Sequence, residues 1–426
     1  MMTRTAVRWR VAGSLVLLVC LLPAHAQTDP NALGLPSAAL VEQVLAAYPP
    51  VRAARDAVRA EAAGRRRLEA GPYEFLLRGG YQRHARPDGR FPEVDFGVER
   101  PLRLPDKARA DRDLGAQNVE LARSVAFSAW CDGARHLLQF WAGWARENVQ
   151  RELWAQQAQA LREQVNVVSR RAAAGDAPRV EVNLAEAAAA QAEATVANFR
   201  GRESGSRAAL ERTFPGLSVP PTIVPGSPRS LDRGLDWFLD RVRLHNDEIR
   251  VARANAKRAT LLARRAAADR VPDPTIGARI GSDRSEQDRM AGVYLTIPIP
   301  GTARQALSES VRALSDAAAS QEAAVIQRVL AEAAIMEGQA RGAFAAWVKA
   351  RDAADGMRRN AESMLRSWQL REASLNDVLI ARRLAVESAL AAALAQIDAE
   401  ESRYKLLIEA HLIWHDPEEE AEEHRD

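Results

Sequence analysis

Four short segments of the chain alternate apolar and polar positions with a period of two, the pattern of a strand whose faces meet different surroundings. Along 73–82, Tyr73, Phe75, Leu77, Gly79 and Tyr81 alternate with Glu74, Leu76, Arg78, Gly80 and Gln82. The next segment sets Val94, Phe96 and Val98 against Glu93, Asp95, Gly97 and Glu99. Later, Ile276, Ala278 and Ile280 alternate with Thr275, Gly277, Arg279 and Gly281, and Val293, Leu295 and Ile297 with Gly292, Tyr294 and Thr296. A half-buried soluble sheet would alternate too. The connecting stretches PDGRFPE and SDRSEQDRM, however, have surface-loop composition, and lengths of roughly ten residues suit a tilted membrane strand. Elsewhere the pattern is helical and unusually long. No proline occurs from Asp106 to about Ala173 or from Thr302 to about Leu370. At a rise of ~1.5 Å per residue, such a run makes a helix near 100 Å, too long for a compact core. The helices that return are alanine-rich, and Leu379, Val386, Leu390, Ala393, Ile397 and Tyr404 have the spacing of a coiled-coil seam.

The plan occurs twice. PYEFLLRGGYQ (72–82) resembles DPTIGARIGSD (273–283), Pro101-Leu102 recurs as Pro298-Ile299, and GDAPRVEVNLAEA (175–187) matches REASLNDVLIARR (371–383). Each half is expected to run helix, two strands, very long helix, tight turn and returning helix. The first repeat is placed at 27–212, with strands at about 73–84 and 92–102 and a hairpin at 105–212. The second is placed at 231–414, with strands at about 274–283 and 291–299 and a hairpin at 302–414. Residues 213–230, TFPGLSVPPTIVPGSPRS, form a linker whose prolines preclude a continuous helix. An acidic tail, 415–426, follows. Trp141 and Trp144 in one long stretch have counterparts in Phe344 and Trp347, and both pairs read as core packing at a helix crossing.

Composition narrows the function. The first 26 residues carry Arg4, Arg8 and Arg10, the apolar run Val11 to Leu22 and a small-x-small site at Ala24-His25-Ala26, the form of an export signal. Without those three arginines the 59 basic residues fall to 56, equal to the 56 acids, which disfavours a nucleic-acid binder. Val19 before Cys20 makes a poor lipoprotein box, and Cys131 is then the one cysteine left, read as a buried small residue. No later stretch offers the ~20 apolar residues of a spanning helix, so entry into a membrane requires strands that close into a barrel. Four strands fall short of the roughly eight in the smallest membrane barrels, so the chain is expected to associate.

No catalytic constellation is present. His411 and His415 have the spacing of a metalloprotease helix without its glutamate, and with His424 they form a weak candidate for metal capture at the acidic tail. The plainer reading is a helix C-terminus whose imidazoles face the last carbonyls. There is no phosphate-binding loop and no cofactor motif. No cofactor and no enzymatic activity are expected.

Taken together, the signal, the duplicated strand pairs and long hairpins, and the tip segments Ala174-Gly175-Asp176 with Glu181 and Trp368 with Asp377-Val378-Leu379 resemble the TolC-like outer-membrane efflux channels. The resemblance spans about Ser37 to Trp414, and its total length and short tail look most like the heavy-metal-export branch typified by CzcC. It implies a mainly α fold with a membrane β-barrel: three chains, four strands each, in a twelve-stranded barrel continued by a periplasmic α-helical tunnel. It implies a homotrimer in outer-membrane lipid, reaching into the periplasm of a Gram-negative cell. The channel would conduct divalent heavy-metal cations delivered by a periplasmic adaptor and an inner-membrane RND pump. A multidrug channel of the same family is the alternative, and a periplasmic adaptor a more distant one, since an adaptor would have one hairpin followed by small β domains. In the family an Asp-Val-Leu-Asp pattern gates the second tip. Here Asp377 matches the first aspartate, Ile380 replaces the second, and Glu181 is the counterpart in the first half. Arg371 stands where the tip turn expects glycine, which leaves the form of that turn open.

Overall fold

Several helices start at a proline, which has no amide proton to strand, or after a residue whose side chain supplies an acceptor. The computed structural model describes residues 33–86, 89–283 and 288–417; the 1–26 segment, His424 and nearly all of the acidic tail lie outside them. The Ser37 side chain accepts from the Leu40 N–H to start α1 (Ala38–Ala47), and Pro49 opens α2 (Pro49–Ala70). Strands β1 (Leu76–Arg86) and β2 (Gly89–Pro101) follow, then α3 (Pro105–Ala173) and α4 (Arg179–Thr213). The second half repeats the order: α5 (Leu235–His245), α6 (Asp247–Ala268), β3 (Thr275–Asp283), β4 (Asp288–Thr296), α7 (Thr302–Gln369) and α8 (Leu375–Glu409). Corresponding helices match in length: 22 residues for α2 and α6, 69 and 68 for α3 and α7, 35 for α4 and α8. The single helix expected before each strand pair is in fact two. Pro49 cannot continue α1, and Asn246, whose side chain accepts from Ile249 N–H, caps a fresh start at α6.

The four strands form one antiparallel sheet in the order β1-β2-β3-β4. Its limits correct the expected ones. Tyr73 and Phe75 precede β1: the Tyr73 hydroxyl donates to Asp273 at 2.9 Å, and Arg100 donates to the Tyr73 carbonyl while stacking on Phe75. These bonds hold the segment out of the ladder. At the other end β4 stops at Thr296, short of the expected 299, because Pro298 and Pro300 have no N–H to continue a ladder.

Register sorts the strand residues into faces. Leu77, Val98, Ala278 and Val293 share one row, and Gly79, Phe96, Ile280 and Ala291 the row two residues away. This apolar face lies open to the surroundings, Leu77 at 84% exposure and Val293 at 86%. On the opposite face Arg78 pairs with Glu99 at 2.7 Å, and the Tyr294 hydroxyl donates to the same carboxylate at 2.6 Å. Gly277 lies beneath the Tyr294 ring, where a Cβ would collide with it. Within the chain, β1 and β4 are edges with unpaired backbone groups.

The buried core lies among the helices and not against the sheet. Helix α3 packs against α2, α4, α6 and α8, around Trp130, Leu137, Leu138, Trp141 and Trp144. Each of these indoles finds an acceptor: Trp130 the Trp414 carbonyl, Trp141 the Leu33 carbonyl, Trp144 the Glu203 carboxylate. That bears on their role, since buried Trp N–H groups need partners and these find them in structural groups. Cys131 is buried. The proline-rich stretch is tied down by Asn148, which donates to the Pro221 carbonyl and accepts from Ile223 N–H, and by Gln396, which donates to the carbonyls of Pro225 and Gly226. Beneath the sheet, buried Lys107 lies 3.3 Å from Asp269 and 3.1 Å from Asp273, fastening α3 to the lead-in of β3. Among the described residues no helix is long and apolar enough to cross a membrane.

Candidate functional site

The far ends of the two hairpins are built to one design. In the first, the N–H of Gly175 bonds to the Ala172 carbonyl and that of Asp176 to the Arg171 carbonyl. In the second, Arg371 N–H bonds to Trp368 and Glu372 N–H to Ser367. Both are helix C-caps that require a residue in the left-handed region. Gly175 adopts φ +78°, and Arg371, 196 positions later, adopts φ +66°. The turn that sequence left open is therefore the same turn, with a non-glycine residue in it.

Arg371 is held by more than its backbone. Its Nη2 lies 2.7 Å from both carboxylate oxygens of Asp176, so the tip of the α7–α8 hairpin is bonded to the tip of the α3–α4 hairpin. Asp176 also faces Arg171 of its own hairpin at 3.9 Å. The Arg171 guanidinium in turn sits 4.7 Å over the ring of Trp368. Trp368 is buried with Val165, Val168, Leu375 and Val378, in an apolar cluster that joins the two hairpins. Higher up, Arg382 of α8 donates to the Ala160 carbonyl of α3. The tips thus form one body with an apolar core and a charged skin.

Asp377 lies on that skin. It is the third residue of α8, and its carboxylate accepts from the N–H and hydroxyl of Ser374, while the Ser374 hydroxyl accepts from Asp377 N–H. This capping box holds the Asp377 carboxyl below the usual carboxylate range, chiefly through the Ser374 hydroxyl and then the Ser374 N–H. Asp377 therefore stays ionised and oriented. Glu181 is the third residue of α4 and half-buried, but its helix starts after Pro178, which has no side-chain acceptor to offer. Ile380 is 44% exposed one turn along α8. The structure thus gathers Trp368 into the core of the tip and leaves Asp377 and Ile380 on its surface. Sequence reading passed over Ser374 and the pairing of Arg371 with Asp176. The S-x-x-D spacing from Ser374 to Asp377 was the available signal for the cap; nothing local signals a bond between residues 195 positions apart.

Of the histidines weighed as a metal site, His411 and His415 lie among the described residues and His424 does not. His411 lies just beyond α8 at φ +53°, its ring stacked on His245 at 6.2 Å and 13°, and 4.7 Å from the ring of His415. The His415 Nε2 meets the His411 carbonyl at 3.1 Å. Burial, with His415, His245, Arg241 and Arg250 around it, pushes the His411 imidazole down to about 3. Among the described residues no group of three or more His, Cys, Asp or Glu is arranged to hold a metal ion.

No family model matches the chain, and no curated protein matches it in sequence. Solved structures do. The chain is similar to the outer membrane protein VceC from Vibrio cholerae, with a TM-score of 0.70 and 18% identity over 87% of this chain and 95% of that one. It is similar to the outer-membrane channel OprN, with a TM-score of 0.75 and 18% identity over 88% and 90%. It is also similar to the CmeC outer membrane channel of Campylobacter jejuni, with a TM-score of 0.72 and 11% identity over 91% and 88%. The chain has the fold of these channels: mainly helical, with a small sheet above paired helical hairpins.

Proposed function

We propose that this chain is the outer-membrane channel of a tripartite efflux system of the TolC-like family. Three copies would join their sheets edge to edge into a twelve-stranded barrel, with the hairpins forming a tunnel through the periplasm of a Gram-negative cell. The observation that carries this reading is the sheet itself: an apolar face exposed along its whole length, two unpaired edges, and a polar face lined by Arg78, Glu99 and Tyr294. A soluble protein does not leave such a face uncovered. Closure in lipid satisfies both the face and the edges.

Conduction through such a tunnel is passive, so the chain is not an enzyme. The tips close it until a periplasmic adaptor and an inner-membrane RND pump draw them apart. Three Asp377 carboxylates around the closed end would favour cations. Together with the branch resemblance, that leads us to divalent heavy-metal cations as the cargo. A deletion strain tests both levels. Sensitivity to cobalt, zinc, cadmium or nickel, relieved by the chain expressed in outer membranes, is the expected result. Unchanged metal tolerance with new sensitivity to dyes or drugs would overturn the cargo, and absence of the chain from the outer-membrane fraction would overturn the channel.

A further inference from the structure

Charge is divided unevenly between the two faces of the sheet: the polar face carries both signs, Arg78 and Arg279 among its acids, and the apolar face carries one. Following the register outward from Leu77, Val98, Ala278 and Val293, the apolar face carries four charged residues within the strands, Arg83, Arg90, Arg100 and Arg289. All are arginines. The strand acids with described side chains, Glu93, Asp95 and Glu99, stand on the opposite face. A face turned to lipid gains nothing from a buried cation, and an arginine at the midplane of a barrel's lipid face is unfavourable by about 2–4 kcal/mol. Position therefore decides what these residues do.

Arg100 is at the helix end of the face, where its guanidinium is taken up by the Tyr73 carbonyl at 2.9 Å and the Phe75 ring at 4.7 Å. The other three are at the hairpin end. Arg289 shares a row with Tyr81, Val94 and Ser282, Arg83 is opposite Pro92 one row further, and Arg90 is opposite Ala85 beyond that. All three are exposed. They stand six to ten residues from the Arg100 row, or roughly 20–34 Å along strands rising ~3.4 Å per residue. A tilt of about 40° reduces this to roughly 16–26 Å, so Arg90 reaches the edge of the ~25 Å apolar band of outer-membrane barrels, while Arg83 and Arg289 start below that edge. Their long side chains let the guanidiniums of these two rise toward headgroup level and out of the hydrocarbon. Tyr81 marks the same level, its hydroxyl accepting from Arg83 at 3.2 Å, as an interfacial aromatic would. Since the helices extend from the other end, this rim faces the outer leaflet.

We propose that Arg83, Arg90 and Arg289 form a belt that binds the phosphate groups of the phosphorylated glycolipid of the outer leaflet. The inference rests on the outer-membrane reading above. Guanidinium groups suit the partner because each offers a planar fork of donors to a phosphate and keeps its charge at any physiological pH. Among the described residues no strand acid on that face competes for the guanidiniums.

The test uses the full mature protein in detergent, titrated with bisphosphorylated lipid A, its monophosphorylated form, phosphatidylethanolamine and inorganic phosphate, with retained lipid counted by native mass spectrometry. The parent should prefer the bisphosphorylated lipid over phosphatidylethanolamine. Combined R83Q, R90Q and R289Q substitution should weaken that binding on the order of a hundredfold, from about one electrostatic contact's worth per arginine. The matching lysine triple variant should retain most of it, and Arg279→Gln, on the opposite face, should change nothing. Equal retention by parent and glutamine triple variant, or equal loss in Arg279→Gln, would overturn the belt. Full competition by millimolar inorganic phosphate would overturn the lipid as its occupant. If the parent is found in outer membranes as an oligomer yet shows no lipid preference, this inference fails alone; if it is not found there, the channel reading fails with it.

Discussion

Replacing Arg371 by glycine separates two effects that the structure joins at one residue. At φ +66° an L side chain is unfavourable by about 1–2 kcal/mol, which glycine would relieve. Glycine also makes the unfolded chain freer, offsetting about 0.4–1 kcal/mol of that gain. The lost ion pair subtracts little more, because the Arg371 and Asp176 side chains keep 68% and 42% exposure, and such pairs contribute about 0.2–1 kcal/mol. The three terms nearly cancel, so R371G should melt within a few degrees of the parent. Opening of the tips is another matter. In a trimer three such links act together, and at ~0.5 kcal/mol each their loss shifts a closed-to-open equilibrium about tenfold. Planar-bilayer recording of the purified protein should show R371G open far more often, D176N likewise, and the double variant little beyond either, since both remove one bond. R371A is the companion: it keeps the strain, loses the pair, and should be the least stable of the set. Conductance in R371G equal to the parent, or full additivity in the double variant, would refute the view that this bond holds the hairpins together.

Asp377→Asn should lower cation selectivity in bilayers and Asp377→Arg should reverse or abolish it; because Asp377 also completes the cap on Ser374, the arginine variant should melt lower as well. Selectivity unchanged in Asp377→Arg would mean that the carboxylate faces away from the pore. For His411 the folded-state value of about 3 lies below its ordinary 6.5, so the unfolded chain takes up the proton first and stability falls as pH drops from 6.5 toward 3. The loss should be on the order of 2 kcal/mol by pH 5. Thermal melts between pH 7.5 and 4.5 should show a shallower slope for His411→Asn, chosen because asparagine tolerates the positive φ; parallel slopes would contradict the assignment. Ser374→Ala should destabilise the tip by about 0.5–2 kcal/mol through loss of the N-cap, seen as faster amide exchange at the start of α8, and unchanged exchange there would show the cap to be idle.

Elements with strong periodicity were legible before any coordinates. Period-two alternation in Val94–Val98 and Ile276–Ile280 places β2 and β3, and the absence of proline over nearly seventy positions gives α3 and α7 almost to the residue. Where alternation continued through residues held by tertiary bonds, as at Tyr73 and Phe75, the pattern overran the strand. The break between α5 and α6 depends on one asparagine acting as a cap, too local for a pattern to show. At the tip, Asp377 was legible as an acid at a helix start. Its locked orientation was not, because that depends on two reciprocal bonds to Ser374. Arg371 could have been assigned the conformation of Gly175 from the duplication alone, yet its partner Asp176 becomes visible only when the two hairpins are laid side by side.

The central claim is that one chain supplies a third of a barrel. The most direct measurement is the protein mass of the detergent-solubilised particle, by light scattering with the detergent subtracted, followed by imaging of the same fraction. Three chains per particle, with one barrel closed by β4 of each chain against β1 of the next, is the predicted result. A monodisperse single chain that remains soluble without detergent, its sheet still four strands wide, would contradict it.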